Sequence, residues 1–251
     1  MNKVTFICLL LLITTLKANA QSYKITYGKL NTSTLEDLEQ ITNIGVKNNI
    51  ISINNSFHLV EYELTISKER AKFSYLEKLN NPNLNKRAIS AGGGSGIHYY
   101  DAKKNIKITQ TPFSGKNYYV ADSISKYNWK ITTDSKKINN FLCYKAIATI
   151  SYDDFRGKEV YDIEAWFCPE IPFPYGPDIY FGLPGLVFEA YKQNSKIKFY
   201  VKKIEKIKGE IKIDMPTEKT ITEEEMTTIF NKAMEDLVNK NCGFLKFRMV
   251  T

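Results

Sequence analysis

Histidine is nearly absent from this 251-residue chain, and the two that occur, His58 and His98, lie far apart. There is no CxxC pair either, so nothing in the sequence supports a zinc site. A Ser/His/Asp hydrolase would have to recruit one of those two histidines, and no GxSxG elbow accompanies them. Either histidine reads as structural or surface-exposed before it reads as a base. Cysteine is sparse as well. Of four, Cys8 falls in the N-terminal apolar run, which leaves Cys143, Cys168 and Cys242. An odd number in an oxidising compartment implies a free thiol or an intermolecular bond. Cys143 and Cys168, near the ends of neighbouring strand candidates, are the first choice for a disulfide, with two buried free thiols as the alternative. Beyond residue 20 no apolar run is long enough to cross a bilayer, which takes about 20 residues.

The N-terminus reads as a cleaved leader. Lys3 precedes an apolar run from Val4 to Leu12, and Ala18-Asn19-Ala20 gives a small-x-small end. Residues 1–20 are therefore expected to be a signal peptide and 21–251 a single β-rich domain. The protein would be periplasmic, outer-membrane-associated or secreted, with no transmembrane segment in its mature form. The formal charge is +8, from 35 Lys+Arg against 27 Asp+Glu, and Lys3 and Lys17 leave with the leader. Export and the scatter of the lysines argue against nucleic acid as a partner. An anionic envelope surface remains compatible.

Strand patterns dominate the chain. Tyr23–Tyr27 alternates, and 57–67 with 71–77 makes a hairpin. Short strands follow at 97–101, 105–110, 116–121 and 127–132. Longer ones run over 141–151 and 158–168, then 185–192, 195–204 and 210–213. The Lys/Ile alternation of residues 196–208 fits a half-exposed or edge strand, where lysine discourages pairing with another chain. A helix is expected over 34–44, capped by Thr34 and ended by Gly45. The Asn-rich stretch after it reads as a long connection. Residues 80–96, ending in a glycine run, read as a mobile loop, because no Walker lysine follows the last glycine. The clearest helix spans about 223–240. Thr222 and Glu225 form a capping box there, and Met226, Ile229, Phe230, Ala233, Met234, Leu237 and Val238 make an apolar stripe. A strand from Phe244 to Val250 follows it. The expected class is mainly β, or α+β: a strongly curved antiparallel sheet or partly open barrel, with the C-terminal amphipathic helix packed on it.

The most informative stretch is Trp166–Glu189, which holds five of the eight prolines and a Gly182-Leu183-Pro184-Gly185 corner. Proline fixes φ, and glycine admits the φ > 0 that a sharp corner requires. The segment reads as a rigid, irregular connection. Asp153 with Asp154, and Glu164 with Glu170, supply carboxylates, but nothing local gives either pair the partial burial a general acid needs. The catalytic residues are unknown at this stage, and neither metal nor cofactor is expected.

A set of landmarks runs through the same region. They are Trp129, Cys143, Lys145, Arg156, Gly157, Tyr161, Trp166, Glu170, Pro172, Gly176 and Pro177, then Gly182, Leu183, Pro184, Gly185, Leu186 and Val187. Their order and spacing resemble the GLPGLI family of exported proteins of Bacteroidetes, also described as a Porphyromonas-type family. Val187 stands where the family name has isoleucine. The resemblance implies a cell-envelope protein without established activity, supporting outer-membrane transport or surface assembly. It also implies that the landmark residues serve as architecture. Two readings follow: a non-enzymatic envelope binding or assembly module whose partner is a protein, lipid or glycan, and, as the alternative, a hydrolase or glycan-active accessory enzyme.

Overall fold

The computed structural model describes residues 21–78, 81–154, 157–193 and 195–248. Residues 1–20, expected to be a leader, and Phe155 and Arg156 lie outside that set. One antiparallel sheet of 11 strands organises the chain, in the order β6-β5-β4-β3-β2-β1-β11-β10-β9-β8-β7. Strands β1 (Gln21–Asn31), β2 (Glu61–Ser67), β3 (Arg70–Tyr75), β4 (Ile97–Asp101), β5 (Ile106–Phe113) and β6 (Lys116–Ser123) step outward from the middle to one edge. The chain then passes to the opposite edge. There β7 (Lys130–Ile138), β8 (Phe141–Asp154), β9 (Gly157–Cys168), β10 (Leu186–Lys192) and β11 (Ile197–Lys208) step back to pair with β1. Two meanders thus share one central ladder.

The sheet is open. Strands β6 and β7 end it and share no ladder. This corrects the expected strongly curved sheet or partly open barrel: the architecture is a mixed α/β fold built on an open antiparallel sheet. The lysine-rich strand is half-exposed as expected, but its placement at an edge is corrected. Strand β11 lies between β1 and β10, away from either edge. Its lysines alternate onto the exposed face and meet acids there, Lys198 with Glu189 at 3.5 Å and Lys202 with Glu61. Partners across the sheet, absent from the local pattern, are what make a lysine-bearing strand central.

The helices differ most from expectation. Thr34 does cap a helix, through a capping box with Asp37, but that helix, α1 (Leu35–Glu39), is short. A second helix, α2 (Ile44–Ser56), starts on an Asn43 cap and runs through the Asn-rich stretch. Residues 210–213 form no strand. Instead the Ile211 N–H donates to Ser22 and Ser67 hydroxyls at 3.2 and 3.1 Å. A short helix, α3 (Arg87–Ser90), interrupts the expected loop. The last helix, α4 (Glu223–Arg248), has the reciprocal Thr222/Glu225 cap and continues through Gly243, so residues 244–248 are helix in place of the expected strand. Just before it, Ile221 exchanges backbone hydrogen bonds with Tyr119 and Ala121 of β6, at 2.8 and 2.9 Å, which covers part of that edge.

The connection between β9 and β10 is an inner layer against the sheet. Ile171, Tyr175, Tyr180, Phe181 and Leu183 are buried, together with Ile25, Tyr27, Tyr62, Phe73 and Tyr100 from the sheet. Irregular backbone can be buried only if its polar groups find partners. The Trp129 indole N–H donates to the Phe181 carbonyl at 2.8 Å, and the Tyr100 hydroxyl donates to the carbonyls of Gly176 and Asp178 at 3.4 and 3.3 Å. The Tyr175 hydroxyl donates to Glu69. Tyr27 reaches the carbonyl of Val187, the first residues of β10, at 2.6 Å.

Gly182 shows why the corner needs glycine. Its φ is +85°, and a Cβ there would lie 2.4 Å from the Ile124 carbonyl oxygen. Gly182→Ala should therefore cost about 3 kcal/mol or more, combining left-handed strain with overpacking against backbone. Gly209→Ala has a similar φ of +93° but nothing within 4 Å of its added Cβ. It should cost only about 1–2 kcal/mol. Urea unfolding of both variants measures the difference, and equal losses would remove the steric account.

Candidate functional site

A cavity of about 400 Å³ opens between the β4–β6 end of the sheet, the inner layer and the first turns of α4. Alternation places His98 of β4 and Lys107 and Thr109 of β5 on its floor. The inner layer contributes Asp178 and Ile179, and α4 contributes Glu223, Met226 and Phe230. Of the apolar stripe expected on α4, Met226 and Phe230 are half-buried and line the cavity, while Leu237 is exposed.

Asp178 is the centre of the polar arrangement. Its backbone is left-handed, with φ of +53°, uncommon for a residue other than glycine. One carboxylate oxygen accepts the Gly94 N–H at 3.0 Å, and the other lies 3.4 Å from His98 Nε2. The side chain keeps 16% of its exposure. Burial raises its pKa above the ordinary 3.8, against the opposing pull of Lys107, the Gly94 hydrogen bond and Lys29. A carboxyl raised in this way at a cavity is suited to proton transfer.

His98 is buried, and its pKa is held well below 6.5 by burial and then by Lys107. The ring is therefore neutral near pH 7, and its contacts fix the tautomer. Nε2 lies 3.2 Å from the Ser95 carbonyl, which can only accept, so Nε2 carries the proton. Nδ1 then accepts from the Thr109 hydroxyl at 3.3 Å. His98 presents an N–H towards Asp178 and has no free nitrogen with which to act as a base.

The glycine run is tied down on several sides. The buried Lys29 ammonium lies 2.5 to 3.3 Å from the carbonyls of Ala88, Ile89, Ala91 and Gly93. Tyr62 also donates to the Ile89 carbonyl. A Cβ on Gly93 would lie 2.2 Å from the Asp178 carboxylate. The expected mobile loop is thus a pinned one, and its glycines allow Asp178 to approach.

Lys107 is 5% exposed, with its amine 4.5 Å from the centre of the Phe181 ring. Burial lowers its pKa to about 8, with Asp178 and Asp122 acting in the opposite sense. At the rim, Lys126 pairs with both Asp122, at 2.7 Å, and Glu223.

The residues singled out from the sequence lie mostly elsewhere. Trp129 supports the inner layer, and Pro177, Leu183 and Leu186 are buried within or beside it. Gly176, Gly185 and the exposed Pro172 and Pro184 shape the same segment. Lys145 pairs with Glu164 at 2.9 Å, Trp166 lies 4.2 Å under the Lys136 amine, and Glu170 accepts from Leu142 N–H at 3.4 Å. Gly157 opens β9 with φ of +110°, while Arg156 falls outside the described residues. Cys143 and Cys168 are buried free thiols, so the expected bond between them is absent. The β8–β9 register places them side by side. Cys242 has no described side chain. Asp178 itself escaped the sequence reading. The available signal was one acid, Asp178, inside the otherwise apolar run Tyr175–Phe181.

A family profile described as "Protein of unknown function (Porph_ging)" matches residues 153–189, which include Asp178. No curated protein sequence matches the chain. In fold it is similar to PNGF-II, a glycan-active hydrolase. The P21 crystal form superposes with a TM-score of 0.51 at 18% identity, over 83% of this chain and 33% of that one. The C2 form gives 0.49 and 16%, over 78% and 29%. The chain therefore spans about one third of PNGF-II. The likeness is one of fold, and against it the expectation of a non-enzymatic envelope binding or assembly module is withdrawn. Among the described residues no helix is long and apolar enough to cross a membrane.

The two central groups respond to pH in opposite senses. His98 is depressed in the folded state, so the unfolded chain takes up its proton first and stability falls as pH drops below about 6.5. Asp178 is raised, so the folded chain keeps its proton longer and gains stability as pH falls towards 3.8. Comparison with His98→Gln isolates the first effect. Between about pH 7.5 and about pH 5 the wild type should lose up to about 2 kcal/mol more than the variant. Parallel pH profiles in thermal unfolding would remove the claim of a neutral buried ring.

Proposed function

We propose that this chain is a glycan-active hydrolase of the bacterial envelope, with the cavity as its active site and Asp178 as the general acid. One observation carries the reading: a carboxyl with raised pKa, on a left-handed backbone, facing a cavity of about 400 Å³. The lining suits a sugar. Ser95, Thr109 and Thr111 offer hydroxyls for a polyol, while Tyr127, Val120 and Ile179 offer an apolar wall for the ring face.

In this reading the protonated Asp178 donates to the leaving atom as the bond to the sugar breaks. Its hydrogen bond from Gly94 and the nearby His98 N–H favour the carboxylate left behind. Of the two further carboxylates on the cavity wall, Asp122 and Glu223, both held by Lys126, Asp122 is the candidate base for the attacking water. His98 acts on Asp178 and stays off the substrate, and Thr109 holds the His98 ring through Nδ1.

The fold likeness to PNGF-II supports the substrate class, and the leader-like residues 1–20 support export. The landmark set from Trp129 to Val187 supports kinship with the GLPGLI proteins. A glycan in the periplasm or at the outer surface is the partner this reading requires, in preference to a lipid or a protein.

The test is release of sugar from envelope glycans and from a glycoprotein panel, by wild type and Asp178→Asn. The variant should lose about 100-fold or more of the hydrolytic rate, the usual contribution of a general acid. Circular dichroism should remain that of the folded chain. A folded Asp178→Asn with full activity would exclude Asp178 as the acid. A wild type that neither cleaves nor binds any glycan would end the reading.

A further inference from the structure

Lys107 is the charged group of the cavity that the folded chain leaves unused. Its side chain rises from β5 into the cavity and is 5% exposed. It makes no hydrogen bond or ion pair with another described residue, and its amine lies over the face of Phe181. The neighbouring charges are already engaged. Lys126 holds Asp122 and Glu223, and Asp178 is occupied by Gly94 and faces His98. The other buried ammonium, Lys29, is enclosed by four carbonyls behind the glycine run.

The Lys107 amine meets no protein acceptor and keeps its remaining access through the cavity, so an acceptor would reach it there. We propose that the cavity selects a saccharide bearing a carboxylate, such as a uronic acid, and that this carboxylate pairs with Lys107. This inference rests on reading the cavity as a glycan site and names the kind of glycan. The lining acids are already held, Asp122 and Glu223 by Lys126 and Asp178 by Gly94, which leaves Lys107 for a single carboxylate. One ammonium faces the cavity, without an arginine fork or a free cluster of backbone N–H groups of the kind that holds a phosphate. The Gly94 N–H is spent on Asp178. Thr109 and Thr111, on the same strand as Lys107, stand where the ring hydroxyls would meet them, and Met226 and Phe230 complete an apolar wall.

The experiment compares methyl glucuronide with methyl glucoside, which differ only at C6, by NMR titration of the full chain. The wild type should bind the glucuronide at least tenfold more tightly. In Lys107→Met, whose side chain keeps the length and the Phe181 contact, that preference should vanish while glucoside binding is kept. Lys107→Arg should retain part of it. Equal binding of the two sugars by the wild type would overturn this inference and leave the glycan reading intact. A preference that survives in folded Lys107→Met would also overturn it. Failure of both sugars to bind would overturn both readings. Should the methionine variant not fold, the wild-type comparison alone decides.

Discussion

The structure depends on satisfying the backbone of a buried segment that has no regular secondary structure. The β9–β10 connection contributes Tyr175, Tyr180, Phe181 and Leu183 to the core, and its carbonyls go with them. A carbonyl left unpaired in such a place costs about 1–3 kcal/mol. Aromatic side chains with polar tips provide the solution. Trp129 and Tyr100 reach carbonyls of the segment, Tyr27 reaches the start of β10, and Tyr175 anchors back to the β2–β3 turn. Each buries apolar area and spends one donor. Tyr27, Tyr100 and Tyr175 serve this internal purpose.

A second constraint follows. Once the segment is seated, Asp178 points towards the glycine run, and that run must be held at a fixed distance. Lys29 accomplishes this from the central strand β1, by gathering four carbonyls from residues 88–93. The Gly94 N–H is then in place for Asp178. The site thus draws on the middle of the sheet, on the β4–β6 end and on the inner layer. Such a geometry is specified by tertiary packing, and rigidity in the supporting elements is what a proton-transferring group requires.

How far the sequence discloses this varies with the range of the interaction. Strands announce themselves through alternation, and every strand from β1 to β11 has a counterpart in the sequence pattern. The Thr222/Glu225 cap is local and readable for the same reason. The Asn-rich helix α2 was hidden because asparagine is a weak helix former, and its Asn43 cap looks like any loop asparagine. The place of β11 was hidden because lysines on one face do not reveal what pairs with the backbone. Helix α4 passes through Gly243 because a single glycine costs a helix only about 1 kcal/mol. Asp178 was the hardest to see. Its importance comes from Gly94, His98 and Lys107, all far away in sequence, and no window around Pro177 contains any of them.

The same reasoning explains why His98 and Lys107 differ in consequence despite lying on adjacent strands. Both are buried cation-forming side chains, and burial disfavours the charged form of each. The imidazole can shed its proton and still use both nitrogens, one donating and one accepting, so its protein contacts complete it. Lysine has no such neutral solution near pH 7. With its pKa at about 8 it remains mostly protonated, as a donor with three N–H groups and no acceptor in the folded chain. One of the two is satisfied by the fold, and the other is left open to the cavity. The distinction between a supporting residue and a ligand-facing one can be made here by counting donors and acceptors, because both side chains are fixed by the same sheet.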